Sequence, residues 1–102
     1  MDKERSPGKG QIVKVLRGRD AGKYAVVIGL VDEKFVLIAD GDKRKFDQPK
    51  KKNIQHLELQ DTISGEVVRS LEESNRVTNG KLRYALAKFM ESQPSEADEK
   101  GE

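Results

Sequence analysis

The first half of the chain alternates between short apolar runs and polar turns. β-Branched and aliphatic residues dominate three segments, a composition typical of β-strands: Gln11–Arg17, Tyr24–Val31 and Phe35–Ala39. Glycine-containing or charged turns separate them, at residues 17–23, 32–34 and 40–42. Two weaker segments predict a fourth and a fifth strand: Lys45–Gln48, which ends at Pro49, and Ile54–Leu59, whose alternation slips near His56.

The hydrophobic period then lengthens from two residues to about four, which predicts helices. Ile63, Val67 and Leu71 are spaced by four, and Val68 widens the stripe. Thr62 or Ser64 is expected to cap this helix, and Asn75 to end it. We expect Thr78 to cap a second helix with one apolar face, formed by Leu82, Ala85, Leu86 and Phe89.

The second predicted strand is apolar on both faces, and this relates the two halves of the chain. Ala25 and Val27 fall on one face, and Tyr24, Val26 and Ile28 on the other. A strand of a small barrel needs only one buried face, so another layer must cover the outside. The two helices are the available layer. We therefore predict a mostly β fold, a small antiparallel barrel with an α-helical hairpin packed on it.

Length and composition exclude several classes of protein. The chain has 102 residues, 34% of them apolar, which suits one domain with a small core. It has no cysteine and one histidine, which excludes disulfides, a thiolate nucleophile and Cys- or His-rich metal sites. The longest apolar stretch, Ala25–Val31, is too short to cross a membrane, and the N-terminus carries no secretory signal. We expect a cytoplasmic protein.

The formal net charge of +2 conceals an uneven distribution. Residues 1–56 hold 14 Lys and Arg against 8 Asp and Glu, whereas residues 91–102 hold five acids against Lys100. We therefore divide the chain into a flexible arm (1–8), the barrel (9–60), the helical hairpin (61–91) and a disordered acidic tail (92–102). The tail could be inert, or it could fold back on the basic half and compete with a weakly bound polyanion.

One continuous segment resembles a known motif. The run from Gly10 to Ile28 is similar to a KOW motif, in which a glycine lies between alternating apolar residues and Gly22-Lys23 opens the next strand. Together with Val31-Asp32 and Leu37–Gly41, it resembles the KOW-domain ribosomal proteins of the large subunit, type fourteen-e. The resemblance covers residues 9–60 well and the helices in outline.

This resemblance implies an SH3-like barrel that contacts RNA, most simply ribosomal RNA, in a ribosome or another ribonucleoprotein. The chain lacks the long basic extension of those ribosomal proteins and ends in acids, so it looks more like a small bacterial KOW-domain RNA-binding protein. SH3-like barrels also bind peptides and proteins. A protein-interaction module linked to the transcription or translation machinery is therefore the alternative.

The turns supply the candidate binding residues. In an antiparallel meander the first and third connections lie at the same end of the sheet, which predicts one basic rim made of six cations: Arg17, Arg19, Lys23, Lys43, Arg44 and Lys45. Such cations bind RNA phosphates, and Gly18 and Gly22 allow the backbone to approach them closely. On the same logic Lys50, Lys51 and Lys52 form a second cluster, which should lie toward the opposite end unless the chain wraps around. This cluster is either a solvated loop or a further RNA contact.

The remaining candidates favour structural roles. Tyr24 and Phe46 could stack on bases, although with 5% aromatic residues a place in the core is the simpler expectation. His56 has no second histidine or carboxylate pair near it, and no serine has a base partner by sequence. Ala21–Tyr24 lacks the pattern of a phosphate-binding loop. We predict a non-enzyme that needs no metal or cofactor.

Overall fold

The computed structural model describes residues 7–92, and these form five β-strands and two α-helices. The elements are β1 (Gln11–Val15), β2 (Tyr24–Leu30), β3 (Phe35–Ala39), β4 (Lys50–Asn53), a 3-10 turn (Ile54–His56), β5 (Leu57–Ile63), α1 (Gly65–Ser74) and α2 (Asn79–Ser92). The predicted barrel with a helical hairpin is confirmed. The proposed arm and acidic tail fall almost wholly outside the described residues.

The strands form one antiparallel sheet in the order β4-β3-β2-β1-β5. The 3-10 turn joins its two edges. The backbone N–H of Ile54 donates to the carbonyl of Lys34 before β3, and the N–H of Leu16 after β1 donates to the carbonyl of His56, both at 2.8 Å. These bonds continue the β3–β4 and β1–β5 ladders up to the turn, and the turn carries the chain from one edge of the sheet to the other, which closes it into a barrel. The turn also explains why the alternation slips at His56.

Two hydrophobic cores share the strand β2. Ala25 and Val27 point into the barrel, which is filled mainly by β1, β2, β3 and the start of β5. Val26 and Ile28 point outward and pack under the helices, against side chains such as Val67, Leu71, Leu82 and Phe89. Val26 and Val27 are both fully buried although they face opposite ways. The predicted two-sided burial of this strand is therefore confirmed.

Side-chain caps define the helices. The Ser64 hydroxyl accepts the N–H of Val67 at 3.3 Å, so Ser64, of the two candidates, caps α1. Asn75 ends α1 in the left-handed conformation, with φ of 60°. The Thr78 hydroxyl accepts the N–H of Lys81 at 3.1 Å at the start of α2. The second helix presents Leu82, Ala85 and Phe89 to the sheet, as its spacing predicts.

Two sequence predictions about individual elements are wrong. Lys45–Gln48 is a turn, and the fourth strand is Lys50–Asn53, which pairs with β3 through Ile38 and Lys50. Ile63 does not belong to the helical stripe, because it pairs with Gln11 as the last residue of β5 and is 58% exposed. The last strand thus passes the predicted barrel boundary at residue 60.

Candidate nucleic-acid interface

The connection between β1 and β2, residues 16–23, is a tightly bonded loop that we call loop 1. The N–H of Gly22 donates to the carbonyl of Val15 at 2.7 Å, and the N–H of Val15 donates to the carbonyl of Lys23 at 2.8 Å. Gly18 and Gly22 have φ of 98° and 91°, values that favour glycine. Internal bonding therefore fixes the backbone from which the exposed side chains of Arg17, Arg19 and Lys23 extend.

The connection between β3 and β4, residues 40–49, is loop 3, and an aspartate organises its first turn. Asp40 Oδ1 accepts the N–H groups of Asp42 and Arg44 at 2.8 and 2.9 Å. The carbonyl of Arg44 accepts the N–H groups of Asp40 and Gly41 in return. A side chain that bonds its own following backbone in this way holds a turn without help from a strand.

Loop 3 is also fastened to the second helix. A guanidinium nitrogen of Arg83 donates to the carbonyl of Gly41 at 2.7 Å, and the N–H of Phe46 donates to Asn79 Oδ1 at 2.8 Å. Gly41 is buried, and a Cβ added there would lie 2.3 Å from the carbonyl oxygen of Asn79. The helical hairpin thus positions the loop that carries Lys43, Arg44 and Lys45.

Loops 1 and 3 meet around an open depression of about 510 Å³, the basic depression. It is lined by five basic residues and one acid: Arg19, Lys23, Lys43, Arg44, Lys50 and Asp20. The prediction that the first and third connections share one end of the sheet is therefore correct. Four of the six cations predicted for the rim line the depression. Arg17 and Lys45 are exposed on the two loops and do not line it.

The three consecutive lysines of β4 separate, because successive side chains of a strand point to opposite faces. Lys50 lines the basic depression instead of the opposite end, which is the alternative expected if the chain wraps around. Lys52 donates through Nζ to the carbonyl of Arg17 at 3.0 Å, where it supports loop 1. Lys51 lies on the other face, with its Nζ 4.8 Å from the centre of the Phe35 ring. The closed barrel carries β4 toward loop 1, so the chain does wrap around.

The aromatic candidates belong to the core between sheet and helices. Tyr24 packs against Phe89 with 5.3 Å between ring centroids, and Phe46 is half-buried against the same core. Tyr84, which sequence reasoning did not select, is 54% exposed on α2. His56 lies in the 3-10 turn, and its backbone carbonyl accepts the N–H of Leu16. Sequence reasoning also missed the contact between Arg83 and Gly41, because no local sequence pattern predicts it.

The opposite end of the barrel is built around another aspartate. Asp32, in the turn between β2 and β3, accepts the N–H groups of Lys34 and Phe35 at 2.8 and 2.9 Å. These two bonds lower the pKa of its carboxyl below the usual value, and the charges of Lys51 and Lys34 act in the same direction. The ionised carboxylate therefore serves as a turn-forming acceptor, far from the basic depression.

The chemistry available at the basic depression is electrostatic. Ammonium and guanidinium groups can bind phosphate oxygens, and among the described residues Asp20 is the one carboxylate that lines the depression. Across residues 7–92, no group of three or more His, Asp or Glu side chains could hold a metal ion. In the same part of the chain, no helix has the length and apolar content to cross a bilayer.

Comparison with known proteins agrees with this architecture. The KOW motif model matches residues 9–38, which run from the entry to β1 almost to the end of β3. The putative ribosome-binding protein YbzG of Bacillus subtilis (strain 168) is 47% identical over 70 residues, which cover 69% of this chain and 95% of YbzG. The large ribosomal subunit protein eL14 of Aeropyrum pernix is 32% identical over 73 residues, which cover 64% of this chain and 73% of eL14.

Fold and motif define an SH3-like barrel protein of the KOW class, extended by a helical hairpin. Within that class, the chain belongs to the family of ribosomal and ribosome-binding KOW proteins that includes YbzG and eL14. This is a family of non-enzymes, which confirms the prediction that the protein is not a catalyst.

Proposed function

We propose that this protein is a non-catalytic RNA-binding protein that associates with the ribosome and contacts structured RNA through the basic depression. The convergence of five cations from loop 1, loop 3 and β4 on one open surface carries the proposal. Two relatives support the ribosomal setting, since one is a putative ribosome-binding protein and the other a protein of the large subunit. That setting would place the protein in the cytoplasm.

The shape of the basic depression suits a folded RNA better than an extended strand. Phosphate binding by several cations releases counterions, which makes it strong at low salt and sequence-independent. Both loops are held by backbone bonds, so the backbone positions from which the cations extend are fixed. No aromatic side chain among the described residues lines the depression to offer a stacking platform for unpaired bases. Shape-dependent contact with a duplex or junction, most simply in large-subunit ribosomal RNA, fits this arrangement.

The proposal assigns different roles to the predicted residues. The cations that line the basic depression would contact phosphates directly: Arg19, Lys23, Lys43, Arg44 and Lys50. Contacts at the margins would come from Arg17 and Lys45. Gly18 and Gly22 would shape loop 1. Lys52 would act mainly by supporting loop 1, since its ammonium is bonded to the loop backbone. Lys51 would lie outside the contact, because it extends over Phe35 on the other face of β4.

Charge reversal in loop 1 tests the proposal against a matched control. The loop 1 variant is Arg17→Glu, Arg19→Glu and Lys23→Glu, and the control is Lys9→Glu, Lys34→Glu and Lys88→Glu. All six side chains are exposed, and each triple changes the formal net charge from +2 to −4. The loop 1 variant should bind protein-free ribosomal RNA about a hundredfold more weakly at physiological salt, while the control changes far less. Circular dichroism should show both folded.

Salt dependence separates RNA binding from binding to a protein. Affinity for ribosomal RNA should fall steeply as salt rises, because several phosphate contacts are lost together. Co-sedimentation with large ribosomal subunits should fall in parallel. If the loop 1 variant still co-sediments while its RNA binding is gone, or if co-sedimentation of the unaltered protein is insensitive to salt, the contact is with a ribosomal protein and the proposal is wrong.

A further inference from the structure

A second polar depression lies where the two helices join. This hairpin pocket, about 250 Å³, combines two basic side chains with three hydroxyls and is lined by Ser70, Ser74, Arg76, Val77, Thr78 and Lys81. Within residues 7–92, no acidic residue lines it. Lys81 Nζ donates to the hydroxyl of Ser70 at 2.9 Å, which keeps its charge inside the pocket. The barrel motif does not include any of these residues.

Loop 3 joins the hairpin pocket to the basic depression. Arg44 lines the depression, and Phe46, two residues later, lies under the Arg76 guanidinium with 5.5 Å from its central carbon to the ring centroid. Two residues span at most about 7 Å. The exposed side chain of Lys45 stands between them. The bond from the Phe46 N–H to Asn79 keeps this short bridge against the start of α2.

We propose that the basic depression and the hairpin pocket form one RNA-binding strip, on which one RNA backbone contacts the barrel and the helical hairpin together. The strip runs from loop 1 across Lys43, Arg44 and Lys45 to Arg76 and Lys81. It deepens the proposed function and rests on it. Its new element is that the helices, besides covering the sheet, contribute phosphate contacts of their own.

The groups in the hairpin pocket suit a phosphate backbone. Arg76 and Lys81 are exposed and supply charge without a carboxylate among the lining side chains. The hydroxyls of Ser70 and Thr78 each accept a hydrogen bond from Lys81, from its Nζ and its backbone N–H respectively. A hydroxyl that accepts one bond can still donate its own hydrogen. Serine and threonine hydroxyls are regular partners of phosphate oxygens beside arginine and lysine.

A pair of neutralising variants tests the strip on a defined RNA. The hairpin variant carries Arg76→Gln and Lys81→Gln, and the matched control carries Lys9→Gln and Lys88→Gln, which removes the same charge from exposed positions away from both pockets. The probe is a 20-base-pair RNA duplex, and affinity is measured between 50 and 200 mM salt. Thermal melting shows whether each variant is folded.

The salt slope is the decisive readout, because each phosphate contact contributes about one unit to it. The slope of the hairpin variant should be smaller than that of the control by about two, so the same rise in salt weakens its binding about tenfold less. Equal slopes for the two variants would overturn the strip while leaving the basic depression intact. The proposed function fails as well if the unaltered protein binds neither the duplex nor ribosomal RNA. It also fails if the loop 1 control variant binds neither of them.

Discussion

Single backbone positions determine whether the cations meet. Gly41 sits where loop 3 touches α2, with φ of 82° and no room for a Cβ beside the Asn79 carbonyl. Gly22 in loop 1 also has a positive φ, of 91°, but nothing lies within 4 Å of the position that a Cβ would take. Gly22 thus meets one requirement, a left-handed backbone, whereas Gly41 meets that requirement and also allows a close approach between loop 3 and α2.

Alanine at these two positions should have unequal effects on stability. Gly22→Ala should cost about 1–2 kcal/mol of unfolding free energy, for the backbone conformation alone. Gly41→Ala should cost about 2–5 kcal/mol, because overpacking against α2 is added. Urea denaturation of both variants measures the difference. Similar losses at both positions would mean that loop 3 does not need its close contact with the helix.

Residue patterns predict part of the site and miss the rest for a physical reason. The sequence predicts that four of the cations lie together, because turns at one end of an antiparallel sheet are neighbours. These are Arg19, Lys23, Lys43 and Arg44. The positions of Lys50 and Lys52 could not be predicted in this way, since they depend on closure of the barrel by the 3-10 turn between β4 and β5. The turn is held by bonds between main-chain atoms, which leave no signature in side-chain identity.

Among the elements, β2 was predictable and β4 was not. The apolar residues on both faces of β2 required a second layer, and the helices provide it. The fourth strand consists of three lysines and an asparagine, which have little intrinsic preference for a strand. It is a strand because β3 offers an antiparallel partner, with Val36 opposite Lys52 and Ile38 opposite Lys50. Tertiary pairing overrides local propensity at this edge.

The packing of α2 on the sheet predicts a contrast between its two faces. Leu82 is fully buried in the layer between sheet and helices, whereas Met90 is about half exposed. Leu82→Ala should lower the free energy of unfolding by about 2–5 kcal/mol, and Met90→Ala should change it by less than about 0.5 kcal/mol. Chemical denaturation measures both. A small effect at Leu82 would contradict the assignment of the helical hairpin to the core.

Over the whole molecule, charge is unevenly distributed along the chain. The cations of the basic depression all come from residues 19–50, whereas residues 93–102 hold Glu96, Asp98, Glu99 and Glu102 against Lys100. Even a modest net charge therefore leaves a local positive field, to which a polyanion responds. The acids of the last ten residues would compete with RNA for that field.

Truncation after Ser92 tests this competition. Removing residues 93–102 takes away a formal net charge of −3 and raises the total from +2 to +5. We expect the truncated protein to bind a non-specific RNA duplex more tightly at low salt, with the difference disappearing as salt screens it. Fluorescence anisotropy at 20 and 200 mM salt measures this. Equal affinities at 20 mM would show that the acidic segment does not compete.

The position of β2 between the two cores has a consequence for how the protein loses its structure. Separating the hairpin from the barrel would expose Val26 and Ile28 to water while Ala25 and Val27, on the same seven-residue strand, stayed dry. Such a partly unfolded intermediate exposes a large apolar surface to water, while the chain gains little conformational entropy. The two layers should therefore unfold in a single cooperative transition. The arrangement of cations in the basic depression should be lost in that same transition.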